Sequence, residues 1–121
     1  MRYAMLLESM IEKIKKQPDD VRFGDLIATI DAFYHYSPVH FTNGLGDDAL
    51  LNAAGMNQGS CKIFAFALIH KLTEQETLSC FGEHYREVLT DPQGAKHANI
   101  RRFMQDGWQG VRFDQMPLLR K

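Results

Sequence analysis

The sequence has 121 residues, 45% of them apolar, with 14 basic and 15 acidic side chains and a formal net charge of −1. That length and apolar share suit one self-sufficient domain, residues 1–121, and exclude a disordered tail or a chain that folds only around a disulfide or metal. The balanced charge lacks the basic excess of a nucleic-acid binder, and no apolar run is long enough to span a bilayer, so neither nucleic acid nor membrane is an expected partner.

Tyr3, Leu6, Leu7, Met10, Ile11 and Ile14 recur at helical intervals and form one face of an amphipathic first helix. Glu8, Glu12 and Lys13 interrupt the segment, so it reads as neither a signal peptide nor a membrane anchor. Glu12 can pair with Lys15 and Lys16 across one turn, and Lys13, Lys15 and Lys16 read as a solvated face, as do Arg101 and Arg102. Gln17-Pro18-Asp19-Asp20 ends the helix. Phe23, Leu26, Ile27, Ile30, Phe33 and Tyr34 repeat the spacing in a second helix, which Ser37-Pro38 stops because a residue before proline is pushed out of the helical region.

Residues 35–59 hold four glycines and three asparagines and read as a long structured loop, since both residue types tolerate positive φ. Asp47 to Ala54 can add a short helix capped by Asp47 or Asp48. Cys61 to Leu72 is apolar on every side over Ile63 to Ile69 and is predicted as the central buried element; periodicity alone does not separate helix from strand, but its two alanines and its length favour a helix, with Ser60 as the N-cap. Thr73-Glu74-Gln75-Glu76 is a capping box, opening a helix with Leu78, Phe81, Tyr85, Val88 and Leu89 inward. Asp91-Pro92-Gln93-Gly94 is a turn. A last helix runs from about His97 to Asp106 with Ile100, Phe103 and Met104 inward, Gly107 as a positive-φ cap and Trp108 packed back on the final turn. Val111-Arg112-Phe113 can extend as a short strand near the C-terminus. The predicted fold class is therefore all-α: a small single-domain bundle of four to five helices with one long structured loop.

Several segments together resemble the HopJ type III effector family. They are Phe41-Thr42-Asn43-Gly44, the block from Asn52 through Gly59-Ser60-Cys61-Lys62 to Ala67, Thr77 to Gly82 with Tyr85, and His97 to Arg101 with Phe103 and Gly107-Trp108. The resemblance runs over about residues 5 to 113 and is most specific at Gly-Ser-Cys-Lys. It implies a small bacterial protein, from a family of which some members are delivered into plant cells by type III secretion. It brings no catalytic mechanism or ligand with it. Location in the cytoplasm is expected, with secretion into a host cell as the alternative.

Gly59-Ser60-Cys61-Lys62 is the sharpest local candidate for chemistry. At the start of a helix, Cys61 would gain thiolate character from the helix dipole and Lys62. It would still need a base, for which His35, His40, His70, His84 and His97 are available, and His84 and His97 join it as the candidate catalytic set. Against this stands the ordinary fate of a lone cysteine, which is burial. Neither Cys61 nor Cys80 belongs to a paired motif, so two reduced thiols are expected. His35 and His40 lie near Asp47 and Asp48, but no His-Glu-x-x-His or paired-cysteine spacing exists, so no metal and no cofactor is expected. Asn43, Asn57, Ser60, Lys62, Asn99 and Arg101 are the candidate ligand-binding residues. The asparagines, with Asn52, can line a polar pocket or simply cap helices and fix turns. Lys62 and Arg101 can clamp an anion at a helix start. A phosphate loop is excluded because the Gly-Lys-Ser/Thr ending is missing. The aromatics are core candidates, lacking the interleaved basic residues of a base-stacking surface. With the catalytic set incomplete, the favoured function is a binding or interaction protein for an unknown protein partner or small ligand, with 35–59 as its recognition surface. The alternative is a cysteine-dependent hydrolase or transferase using Cys61.

Overall fold

The centre of the molecule is helix α3, Gln58–Ile69, in which Cys61 and Ile63 through Ala67 are all buried. A helix that is apolar all round has to sit inside its neighbours. Phe64 is fully buried and meets Phe41, Phe81, Phe103 and Trp108 with ring centroids 6.1, 5.4, 5.0 and 6.2 Å away. These rings come from four other parts of the chain, so one side chain joins most of the fold. The structure is a computed structural model and describes residues 2–121, with side chains from residue 6 onward.

The expected all-α bundle is not what forms. The described residues make six α-helices and five short strands in two small antiparallel sheets. Helix α1 is Arg2–Lys16 and α2 is Phe23–Phe33, separated by a single 3-10 turn at Pro18–Asp20. On α1, Leu7 and Ile14 are buried and Lys16 pairs with Glu12 at 2.9 Å, whereas Leu6 faces out. The Tyr3 side chain, expected on the inner face, lies outside the described residues.

Helix α2 stops at Phe33 and does not run on to Ser37. Tyr34–Tyr36 is strand β1, paired with strand β5, Leu118–Arg120. The helical spacing through Phe33-Tyr34 could not reveal this, because the partner lies far away in sequence. The end of α2 is closed by that partner: Lys121 N and the Arg120 guanidinium both donate to the Phe33 carbonyl. The Arg120 guanidinium also lies over the Phe33 and Tyr34 rings.

Residues 35–59 are likewise not one long loop but short strands joined by turns. Strand β2 is Phe41–Asn43 and β3 is Leu50–Asn52, joined as a hairpin, and β4, Val111–Phe113, pairs along the other edge of β2. The short helix expected at 47–54 does not form. Its presumed cap, Asp48, is held elsewhere: the Asp48 carboxylate and carbonyl both accept from Arg102 at 2.9 and 3.0 Å. Strands of three residues are too short to show an alternating pattern. The strand at Val111–Phe113 is where the sequence put it.

The helix opening at the Thr73 capping box breaks in two. The box itself is present, with Glu76 N donating to Thr73 Oγ1 and Thr73 N to Glu76 Oε1. Helix α4 is Glu74–Ser79 and α5 is Glu83–Thr90. Between them Gly82 takes φ +58°, and a Cβ there would lie 2.5 Å from the Phe23 amide nitrogen. The chain turns here so that Glu83 can accept from Phe23 N at 2.9 Å, putting a carboxylate on the N-terminus of α2. Helix α6, Ala98–Asp106, ends at Gly107 with φ +65°, and Trp108 packs on Phe103 at 5.0 Å, as expected. Met104, expected inward, is exposed. No helix among the described residues is long and apolar enough to cross a membrane.

Candidate functional site

A cleft of about 470 Å³ opens where the β3 end, the start of α3 and the facing ends of α5 and α6 meet. Its polar wall is Asn52, Asn57, Ser60, His84, His97 and Asn99, and its apolar wall includes Phe23, Leu50 and Phe81.

Under the polar wall lies a network of side-chain amides. Asn43, Asn52 and Asn99 are buried, and Asn57 reaches them from the rim. Asn99 Nδ2 donates to Asn52 Oδ1 at 2.9 Å, and Asn52 Nδ2 donates back to Asn99 Oδ1 at 3.2 Å. Asn43 Nδ2 donates to the Asn99 carbonyl at 2.9 Å and to Asn99 Oδ1 at 3.0 Å. Asn57 Nδ2 donates to Asn52 Oδ1 at 2.7 Å. Primary amides suit this role because each brings donors and an acceptor without charge. The network joins β2, β3, the α3 N-cap and the first turn of α6. Asn57 itself is the α3 N-cap in the left-handed conformation, φ +53°, in place of the expected Ser60.

A second device fixes the same wall from outside. Arg102 donates to Asp106 Oδ2 at 2.8 Å and to the Leu45 carbonyl at 2.7 Å, while Leu45 N donates to Asp106 Oδ2 at 2.8 Å. This clamps the β2–β3 hairpin onto α6. Hydrogen bonding to Arg102 and to the Leu45 amide holds the Asp48 and Asp106 carboxyls below their ordinary range, and the two carboxylates raise the guanidinium.

His84 and His97, on separate elements, come together with ring centroids 4.8 Å apart. His97 is the α6 N-cap in a left-handed conformation, φ +61°, and His84 stands edge-on against Phe23 with centroids 4.7 Å apart. Glu87, one turn after His84 on α5, lies against both: His97 Nε2 is 3.3 Å from Glu87 Oε2 and His84 Nδ1 is 3.6 Å from Glu87 Oε1. The His97 hydrogen bond, ahead of weaker contributions from His84, holds the Glu87 carboxyl below its ordinary range.

The remaining candidates are placed elsewhere. Cys61 is buried with its thiol facing Tyr36 and the Val39 backbone, and burial pushes the thiol up. Burial and that thiol in turn push the Tyr36 phenol up to about 12. Because α3 begins at Gln58, Cys61 sits a full turn inside the helix and is not part of the cleft lining. Lys62 pairs with Asp31 at 2.8 Å and lies over the Tyr36 ring. Arg101 donates to the Lys96 and Pro92 carbonyls and so holds the 91–97 turn that carries His97. Lys62 and Arg101 are thus each engaged apart from the other and form no anion clamp. Of the proposed sites, Asn57, Ser60, His84, His97 and Asn99 line one surface, with Asn43 beneath it. Glu87 was not singled out from the sequence, although His84-x-x-Glu87 on a helix is a readable signal.

The Asn52-to-Ala67 block, the Asn43 segment and the His97-to-Arg101 segment, on which the likeness to a family rests, thus build one cleft. A family model described as HopJ type III effector protein matches residues 7–118. The chain belongs to the HopJ family. The crystal structure of the unknown-function protein VPA0580 is similar to this HopJ chain at 39% sequence identity and a TM-score of 0.89, covering 94% of this chain and 92% of that one. A search of curated proteins gave no significant match.

Proposed function

We propose that this HopJ protein is a binding protein that holds a small amphipathic molecule in the cleft between the β3–α3 segment and the α5–α6 ends. The observation that carries the reading is the convergence of Asn52, Asn57, Ser60, His97 and Asn99 on one concave, half-apolar surface whose amides are fixed from beneath. Its volume falls in the range usual for small-molecule sites, which combine an apolar lining with a few placed polar groups. Among the described residues no lysine or arginine lines the cleft, so the fitting ligand has a neutral hydrogen-bonding head and an apolar body. The first turns of the 35–59 segment serve the scaffold, and its last part, from Leu50 on, supplies the recognition surface together with Ser60. The cysteine-dependent alternative draws no support from the geometry, since Cys61 is buried away from His84 and His97.

The test is amide-resolved NMR of the full chain against millimolar aromatic amides, aromatic alcohols and nucleosides. Shifts clustered at Asn52, Asn57, Ser60 and Asn99 that disappear in Ser60→Trp support the reading. Shifts scattered elsewhere, or none across the set, overturn it.

Family membership supports type III export as an alternative to a cytoplasmic location. A reporter fused after the chain, entering host cells only from bacteria with a working secretion apparatus, would establish export. Equal retention by secreting and non-secreting strains would establish the cytoplasmic location.

A further inference from the structure

We infer that His84, Glu87 and His97 form a binding site for one divalent transition-metal ion of the zinc type at the rim of the cleft. One ligand atom from each of the three residues lies within 4.8 Å of those of the other two. Two imidazoles and one carboxylate are a donor set shared by catalytic zinc centres and by open iron centres, and nitrogen donors favour such ions over magnesium or calcium.

Each imidazole already stands at a metal-like separation from one of the two Glu87 oxygens. Two donors bonded at 2.0–2.1 Å to one tetrahedral ion stand about 3.4 Å apart. His97 Nε2 to Glu87 Oε2 is 3.3 Å and His84 Nδ1 to Glu87 Oε1 is 3.6 Å. To share one ion, the two imidazoles and one carboxylate oxygen have to draw together from their present spread of up to 4.8 Å.

A second observation points the same way. His84 Nδ1 is buried and has no hydrogen-bond partner among the described residues. A ring nitrogen aimed at a carboxylate from 3.6 Å, just beyond hydrogen-bond reach, leaves a polar atom unsatisfied, which costs stability unless something occupies the gap. A cation between the two groups satisfies both at once. The scaffold is also stiff where a ligand set needs stiffness. His84 is braced by Phe23, and the His97 backbone is held left-handed at the α6 N-cap behind the Arg101-anchored turn. Such outer contacts set the direction of metal-binding imidazoles. Three protein donors leave coordination positions free, and His84 and His97 line the same cleft as Asn57 and Ser60.

The reading does not depend on an organic ligand, so its failure and that of the cleft proposal are separable. The test uses the metal-stripped full chain titrated with Zn²⁺ in competition with a chromophoric chelator, and with Co²⁺ followed by its visible absorption. The expected result is one equivalent bound, with the imidazole ¹⁵N resonances of His84 and His97 shifted and those of His35, His40 and His70 unmoved. Glu87 is exposed, so Glu87→Gln should fold normally and weaken Zn²⁺ binding at least about tenfold, as should His97→Ala. His35→Ala should bind as the parent does. Equal affinity in the parent and Glu87→Gln, or shifts at His35 or His40 in place of His84 and His97, would overturn the site.

Discussion

Asn52 and Asn99 exchange side-chain hydrogen bonds in both directions, at 2.9 and 3.2 Å, forming a closed amide pair inside the protein. Asn43 and Asn57 attach to that pair from opposite sides. Replacing Asn99 by alanine strips the Asn52 and Asn43 amides of their bonds to the Asn99 side chain, leaving Asn52 with Asn57 and a longer bond to the Leu50 carbonyl and Asn43 with the carbonyl of residue 99. A buried polar group stripped of its partner costs about 1–3 kcal/mol. Urea unfolding of Asn99→Ala should show a loss in that range with an unchanged m-value, and a loss below about 0.5 kcal/mol would mean water replaces the pair.

Gly82 and Gly24 should respond in opposite directions to the same change. Gly82 has φ +58° and no room for a Cβ against Phe23 N, whereas Gly24 is an exposed position of α2 with nothing within 4 Å. Gly82→Ala should destabilise by more than about 1 kcal/mol, and Gly24→Ala should stabilise by up to about 1 kcal/mol, as read by thermal unfolding.

Both cysteines should resist modification. Cys61 and Cys80 are buried, and burial raises both thiols, so little thiolate exists near neutral pH. A thiol reagent at pH 7 should label the native chain only as fast as it unfolds, and both sites at once in denaturant. Fast labelling of native Cys61 would revive a nucleophilic role.

Acid should act through the capping carboxylates. Glu83, bonded to Phe23 N, and Glu76, bonded to Thr73 N, both titrate below their ordinary 4.5 in the folded chain. A carboxyl whose folded value is depressed contributes stability that is complete above the unfolded value and is lost as pH falls through the folded one. These two carboxylates should therefore contribute constant stability on the basic side of 4.5 and a declining one below it. Glu83→Gln should be less stable than the parent at neutral pH and show a shallower decline in acid.

The helices were legible because their apolar residues recur locally. The Thr73 capping box, the Gly107 terminus and the burial of Ile63 to Ala67 are each written within a dozen residues. The sheets were not legible, because Tyr34 pairs with Arg120 and Phe41 with Phe113, and nothing near either residue announces its partner. The site was half legible for the same reason. Asparagines beside glycines marked Asn43, Asn57 and Asn99 as unusual, but only the fold brings them to one network and sets Glu87 between two histidines. Cys61 drew notice because it follows Gly-Ser, yet α3 begins early enough to carry it into the core.

The β1–β5 ribbon has a kinetic consequence. Arg120 reaches back across 87 residues to the Phe33 carbonyl, so this closure bears the largest entropy of ordering while contributing only three residue pairs. It belongs at the end of folding, after the helices around Phe64 have condensed, and at the beginning of any opening. A chain drawn from its C-terminal end through a narrow channel would surrender that clasp first, leaving the aromatic centre intact until force reached it.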